Sequence, residues 1–233
     1  MASRRLRPLP RSFYARPALV VARDVLGRLL LHDQGGARVG GRIVEVEAYR
    51  GADDPASHAY RGPTRRNRVM FGPPGHAYVY FTYGVHHCLN LVTGREGEAM
   101  AVLVRALVPV AGVDRMRRRR HLVGERAWER IGRGPGCVAQ ALGLSLKDDG
   151  LDLTRGPLWI ADAPAFREGL RVARGPRIGI RVARDRPWRF YLEGHPCVSG
   201  PRGTPRAPRV IPSRRARRGI RPEFGVDTPW DAT

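Results

Sequence analysis

The stretch Gly41-Arg-Ile-Val-Glu-Val-Glu-Ala-Tyr-Arg-Gly51 reads as a β-strand, because its side chains alternate between two faces. Ile43, Glu45, Glu47 and Tyr49 share one face; Arg42, Val44, Val46 and Ala48 share the other. Two carboxylates and an aromatic ring therefore stand in a row on one side of a sheet. The ordinary reading of a Glu-x-Glu strand is a solvated face whose acids pair with nearby arginines. The sharper reading is a carboxylate working beside flat aromatic surface. His58-Ala-Tyr60 follows shortly after, in a loop rich in Gly, Pro and Asp. In a very basic chain, that neighbourhood suggests a site that holds a ring and performs hydrolysis beside it.

The chain has 233 residues, 42% of them hydrophobic, which fits one domain with a real core and tails. No apolar run approaches the roughly 18 residues of a membrane helix. The N-terminus is basic but lacks the apolar core of a secretory signal, so a cytoplasmic, non-secreted protein is expected. Cys88, Cys137 and Cys197 are odd in number and show no paired spacing, which argues for a reducing compartment. The formal net charge is +21, and Lys147 is the only lysine. The arginine bias fits a GC-rich genome, but the excess of bases over acids remains, and it persists without the arginine-rich tail. Such a chain concentrates near polyanions, and nucleic acid is the expected partner.

Residues 1–12 read as a basic arm, 13–200 as the folded domain, and 201–233 as a Pro/Arg-rich disordered tail. A helix is expected from Pro17 to about Gly27, with Leu19, Val20, Val25 and Leu26 as its apolar stripe. Residues 29–32 read as a strand that pairs with the Glu47 strand across a Gly35-Gly36 turn. Residues 50–75, with Pro55, Pro63, Pro73 and Pro74, form a long loop, a feature of functional or disordered segments. Residues 76–92 read as strand, turn and strand, and 99–109 as another strand. Arginine-rich helical segments are expected at 112–120 and 127–133, a helix at 134–142, and late strands at 178–182 and 189–192. The class that emerges is α+β: one mixed domain with a twisted, mainly antiparallel sheet, flanking helices and a protruding β-hairpin.

Several residues stand out for their chemistry. Tyr78, Tyr80 and Thr82 share one face of the hairpin, and Tyr83 precedes Gly84 at its turn. A large ring at a hairpin tip fills a core poorly; it is well placed to wedge into a base stack. Arg105 lies in an apolar run and needs an anion if buried, either Glu45, Glu47 or a phosphate. Asn90 is likewise a polar amide between apolar neighbours. His58, His76, His86, His87 and Cys88 could suggest a metal, but adjacent His86 and His87 point to opposite faces of a strand, and no metal-ligand spacing is present. Phosphate-binding, dinucleotide-binding and serine-hydrolase motifs are also absent.

The strand Gly41–Gly51, His58, Arg66-Asn-Arg68, Met70-Phe71, the Tyr78–Asn90 hairpin, the run Leu103–Pro109, Gly134-Pro135 with Gln140-Ala-Leu-Gly143, and Pro187-Trp-Arg-Phe190 together resemble the alkyladenine (3-methyladenine) DNA glycosylase family, the type without a helix-hairpin-helix. The resemblance runs in order from about residue 17 to residue 200. It implies that Glu47 is the general base for a water attacking C1′ of a flipped-out nucleotide. It implies that Arg105 holds that water and a nearby phosphate, and that Tyr49, His58 and Tyr80 sandwich the base. Asn90 would crowd the exocyclic amine of guanine, Tyr83 would fill the gap left in the duplex, and the backbone near Ile178 would help bind the water. His86 would contact the groove. The partner implied is double-stranded DNA containing damaged purines, met by a monomer without metal or organic cofactor.

Two positions depart from the family's pattern. Cys137 stands where a lysine is usual, and His86 where an aromatic is common, so a phosphate contact and a groove contact are in doubt. The bottom-up chemistry agrees with the rest. Glycosidic cleavage builds positive charge on the sugar, which one carboxylate can stabilise while it activates water. A cationic alkylpurine leaves without a second acid. Two rivals stay open: a nucleic-acid-binding module without catalysis, which leaves Glu47 unexplained, and a hydrolase of free nucleosides, which leaves the charge and Tyr83 unexplained.

Overall fold

The computed structural model describes residues 6–162, 164–167 and 169–200. They form one α+β domain built on a nine-stranded sheet. In chain order the elements are α1 (Arg11–Tyr14), α2 (Ala18–Val25), β1 (Leu29–Gln34), β2 (Ala37–Tyr49), β3 (Ala77–Thr82), β4 (His86–Thr93), β5 (Met100–Ala111), α3 (Val113–Arg119), α4 (Trp128–Ile131), β6 (Gly132–Arg133), α5 (Pro135–Leu142), β7 (Leu158–Ile160), β8 (Val172–Gly175) and β9 (Arg189–Leu192). The main path runs β3-β4-β5-β2-β1-β7, and every pairing among the described residues is antiparallel.

Strand β2 organises the rest. One edge pairs with β5 along nearly its whole length. The other edge is shared: its first half pairs with β1 through Arg42, and Glu45 to Glu47 pair with β9. The β2–β5 register shifts on either side of Glu45, the place where Glu45 and Arg105 face each other. With partners on both edges, Ile43 through Ala48 are all buried, Glu45 and Glu47 among them. The solvated-face reading of this strand therefore does not hold. Gly40 and Gly41 let the neighbours approach closely. A Cβ on Gly41 would lie 2.1 Å from the carbonyl oxygen of Val108 and 2.7 Å from Leu107 Cδ1.

The helices cover the sheet. α2 lies against β2 and β5, and α5 against β4 and β5. The stripe expected for α2 holds in part: Val25 and Leu26 are buried and Leu19 packs partly against the core, but Val20 does not face inward. Ala18, Val21, Ala22 and Val25 face inward, and Val20 is 41% exposed. Two alanines complete the i, i+3, i+4, i+7 face, and a stripe read from large residues alone passes over them. Packing also begins inside the stretch expected as an arm, since Pro8 bridges Ala161 and Leu9 is buried. The tail expected to be disordered, 201–233, lies outside the described residues.

The expected strand at 178–182 is a series of bends; the strand in this region is β8, upstream. The Ile178 N–H donates to the Glu47 side chain instead of a strand partner, and Gly179 and Ala183 hold left-handed backbone. Likewise the helical segment expected to reach 133 stops at Ile131, and Gly132–Arg133 pairs with β5. The loop 50–75 carries two 3₁₀ turns, Gly51–Asp53 and Arg68–Phe71.

The tight seat of Gly41 gives a stability test. Gly41→Ala drives a methyl into backbone and should cost about 1–3 kcal/mol of stability, the usual penalty for overpacking. Thermal unfolding of this variant should show a lowered Tm; an unchanged Tm would mean the close approach is not limiting.

Candidate active site

Glu47 sits near the end of β2 with no solvent exposure. The Tyr49 hydroxyl donates to its Oε2 at 2.9 Å, and the Ile178 N–H donates to its Oε1 at 2.7 Å. Arg105 Nη1 lies 3.3 Å from the same Oε1. Tyr49, Arg105 and Ile178 all line a pocket of about 400 Å³, within the roughly 300–1,000 Å³ range of small-molecule sites. Glu47 itself lies one layer behind that wall and meets the pocket through these three neighbours.

Arg105 links both carboxylates, because its Nε lies 3.5 Å from Glu45 Oε1. Burial opposes the guanidinium charge, but Glu47 and Glu45 outweigh it and raise the Arg105 pKa. Glu45 also accepts from the Ser199 N–H at 2.7 Å and pairs with Arg189 at 2.8 Å. Burial nonetheless pushes its carboxyl pKa upward against those cations.

The opposite wall is aromatic. Tyr78 and Tyr80, two apart on β3, stack with centroids 5.3 Å apart. His58 meets Tyr80 edge-on at 4.6 Å, and its Nδ1 lies 2.9 Å from the Tyr78 hydroxyl. His58 is exposed toward the pocket mouth, but its covered flank and the nearby Arg66 charge lower its pKa. Burial raises the Tyr78 phenol to about 12 and pushes those of Tyr49 and Tyr80 upward. Each of these shifts favours the uncharged form of its ring. Buried Asn67 holds the His58 loop by donating to the carbonyls of His58 and Gly62. Asn90, on β4, lines the pocket and makes one long contact, to the Tyr78 carbonyl at 3.5 Å.

Tyr83 lies in the three-residue turn between β3 and β4, 83% exposed and with φ of 51°. Left-handed backbone is uncommon for an aromatic residue, and here it turns the ring outward at the pocket's edge. His86 does not line the pocket; it packs against Gly136 at the start of α5. The histidines considered as a metal set lie apart: His76 faces the Pro73 carbonyl and Arg11, and His87 tilts against Phe81.

The structure therefore brings together Arg105, Tyr49, His58, Tyr80, Asn90 and Tyr83 around one pocket, places Glu47 behind its wall in contact with Tyr49 and Arg105, and leaves His86 beside it. Sequence reasoning passes over Asp54, Arg177 and Arg189. A buried arginine in an arginine-rich chain carries no local mark, and only the apolar flanks of Arg105 set one apart. Cys88 also lines the pocket, paired with Tyr80 across the hairpin. Arg105→Met would leave buried Glu47 without its cation, while Glu45 keeps Arg189, and should cost about 3–5 kcal/mol in chemical denaturation. Adding Glu47→Gln removes that stranded charge and should recover part of the loss; an equal or larger loss in the double variant would contradict the network.

Among known proteins, the methylpurine-DNA glycosylase family matches residues 12–196. A protein of Carboxydothermus hydrogenoformans is 50% identical over 193 residues, covering 82% of this chain and 98% of its own length. One from Methanoculleus marisnigri is 50% identical over 194 residues, with coverage of 82% and 98%. One from Burkholderia lata is 49% identical over 196 residues, with coverage of 83% and 91%. All three carry the name "Putative 3-methyladenine DNA glycosylase". With a match spanning most of the domain that forms the pocket, the chain belongs to the methylpurine-DNA glycosylase family.

Proposed function

We propose that this protein is a monofunctional DNA glycosylase that flips a damaged purine out of duplex DNA and hydrolyses its glycosidic bond. Its substrates are alkylated purines of the 3-methyladenine type and, more finely, the neutral lesions hypoxanthine and ethenoadenine. The observation that carries the reading is Glu47. It is a wholly buried carboxylate, held by Tyr49, Ile178 and Arg105, behind a pocket walled by stacked tyrosines.

Each part has a role. The flipped base enters the space bordered by Tyr49, His58 and Tyr80. Stacking on an aromatic ring contributes about 1–3 kcal/mol per base, which offsets the few kcal/mol needed to unstack and unpair it. Tyr83 fills the vacated space in the duplex, and Asn90 meets the purine edge. As the bond from C1′ to the base breaks, its electron pair leaves with the base, and positive charge grows on the sugar. A cationic alkylpurine departs as a neutral molecule. Glu47 stabilises the sugar cation and takes the proton of the water whose oxygen attacks C1′. The products are the free base and an abasic site. Arg105 and the Ile178 backbone orient Glu47 and the water.

The chain's charge of +21 supports DNA as the partner through phosphate neutralisation. An exposed ring at the tip of a hairpin has no use in hydrolysing a free nucleoside. A binding module gains nothing from a carboxylate buried behind its base platform.

Single-turnover excision from duplexes bearing one lesion tests this reading. Glu47→Gln keeps the shape and removes the base, so the rate should fall by about 10²–10⁴-fold with lesion binding retained. Unchanged excision by this variant would remove Glu47 from the mechanism, and no base release by the intact protein on any lesion would leave a binding protein. Tyr83→Ala should unfold at the same temperature as the intact protein, yet excise more slowly from duplex than from single-stranded DNA. An equal effect on both strand forms would contradict the wedge role.

A further inference from the structure

We infer that the buried Asp54–Arg177 ion pair is a positioning device that sets the geometry of Glu47, Tyr49 and His58 together. The inference rests on the reading of Glu47 as general base and adds two residues to it. Both side chains have no solvent exposure. Arg177 grips Asp54 through two nitrogens, Nη1 to Oδ2 and Nη2 to Oδ1, the latter at 2.8 Å. Its Nη1 also donates to the Ala48 carbonyl at 3.1 Å. The guanidinium carbon sits 4.6 Å from the Tyr49 ring centroid and 5.0 Å from that of Trp188.

One guanidinium thus ties three separate pieces of chain, and each piece carries a part of the site. The first is the end of β2, where Ala48 and Tyr49 directly follow Glu47 and Tyr49 lines the pocket. The second is the loop after β2. There the Asp54 carboxylate accepts from the Ala56 N–H at 3.2 Å, and its carbonyl accepts from the Ser57 N–H at 2.8 Å, one residue before His58. The third is the stretch between β8 and β9, which lacks regular structure, yet its Ile178 N–H must reach Glu47. Ile178 is the residue next to Arg177. No sheet hydrogen bond holds that N–H in place, so the anchor beside it does.

The energetics fit a positioning role better than a stabilising one. Burying an ion pair rarely adds stability over apolar packing of the same volume, and Arg177 Nε finds no hydrogen-bond partner among the described residues. What the pair supplies is direction. A planar fork that binds a carboxylate at two points while lying against two rings cannot be replaced by lysine.

The test uses full-length Arg177→Lys and the near-isosteric Asp54→Asn, singly and combined. Single-turnover excision is measured at saturating enzyme, beside the Kd for the same lesion duplex and the Tm. A displaced site should lower the saturating rate by about 100-fold and leave Kd little changed, and the double variant should be no slower than the slower single variant. In a Glu47→Gln background, Arg177→Lys should remove nothing further. Variants that fold and excise at the intact rate would overturn the inference, as would losses that merely add. If both single variants fail to fold, the pair is structural and the positioning role is overturned. These outcomes are separable from failure of the Glu47 reading itself, which would appear as full excision by Glu47→Gln alone.

Discussion

Three carboxylates and three arginines are taken out of water on and around strand β2, and the structure depends on their matching. Glu45, Glu47 and Asp54 have no exposure, and Arg105, Arg177 and Arg189 almost none. Each charge alone would be prohibitive in the interior. Together they balance: Arg189 and Arg105 meet Glu45, Arg105 also meets Glu47, and Arg177 meets Asp54. This arrangement explains why β2 needs partners on both edges. β5 delivers Arg105 from one side, β9 delivers Arg189 from the other, and the chain leading to β9 delivers Arg177. The same network closes over the end of the described chain, where Ser199 donates its N–H to Glu45 and its hydroxyl receives a bond from Arg105 at 3.4 Å.

The consequence for function is a division of labour between a buried floor of paired charges and an exposed, projecting rim. Preorganised charges cost little reorganisation at the moment of reaction and act strongly where water is excluded. Above the floor, neutral rings accept a flat guest, and above them Tyr83 projects into solvent. The two levels are joined by one hairpin. Strand β3 carries Tyr78 and Tyr80 into the pocket and Tyr83 beyond it. Tyr83 is therefore the ring of this hairpin that stands farthest into solvent.

Much of this was legible in the sequence, for identifiable reasons. Period-two alternation placed Glu45, Glu47 and Tyr49 on one face, and it placed Tyr78 with Tyr80. The apolar flanks of Arg105 marked it as needing an anion, and the structure answers with two carboxylates. Gly35-Gly36 and Gly84 marked the two hairpins. Other features left no local trace. The inward face of α2 uses alanines, which a search for large apolar residues misses. Residues 178–182 have the apolar spacing of a strand, but the N–H at 178 is taken by a side chain 131 residues away in sequence. Arg177 and Asp54 sit in loops of ordinary composition, and only their meeting in space gives them meaning. His86 stays exposed on the hairpin beside the pocket, with its ring near Gly136.

The central claim is that water, activated at Glu47, is the nucleophile. The chain has one lysine, Lys147, in the 3₁₀ turn Leu146–Asp148 and absent from the pocket wall. The most direct measurement is borohydride treatment during excision from an end-labelled duplex bearing one alkylated purine, with the released base and the labelled strand analysed together. Free base, an unbroken strand carrying an abasic site, and no protein–DNA adduct are predicted. A trapped covalent adduct, or strand cleavage coupled to base release, would mean that an amine attacks the sugar and that Glu47 does not direct a hydrolysis.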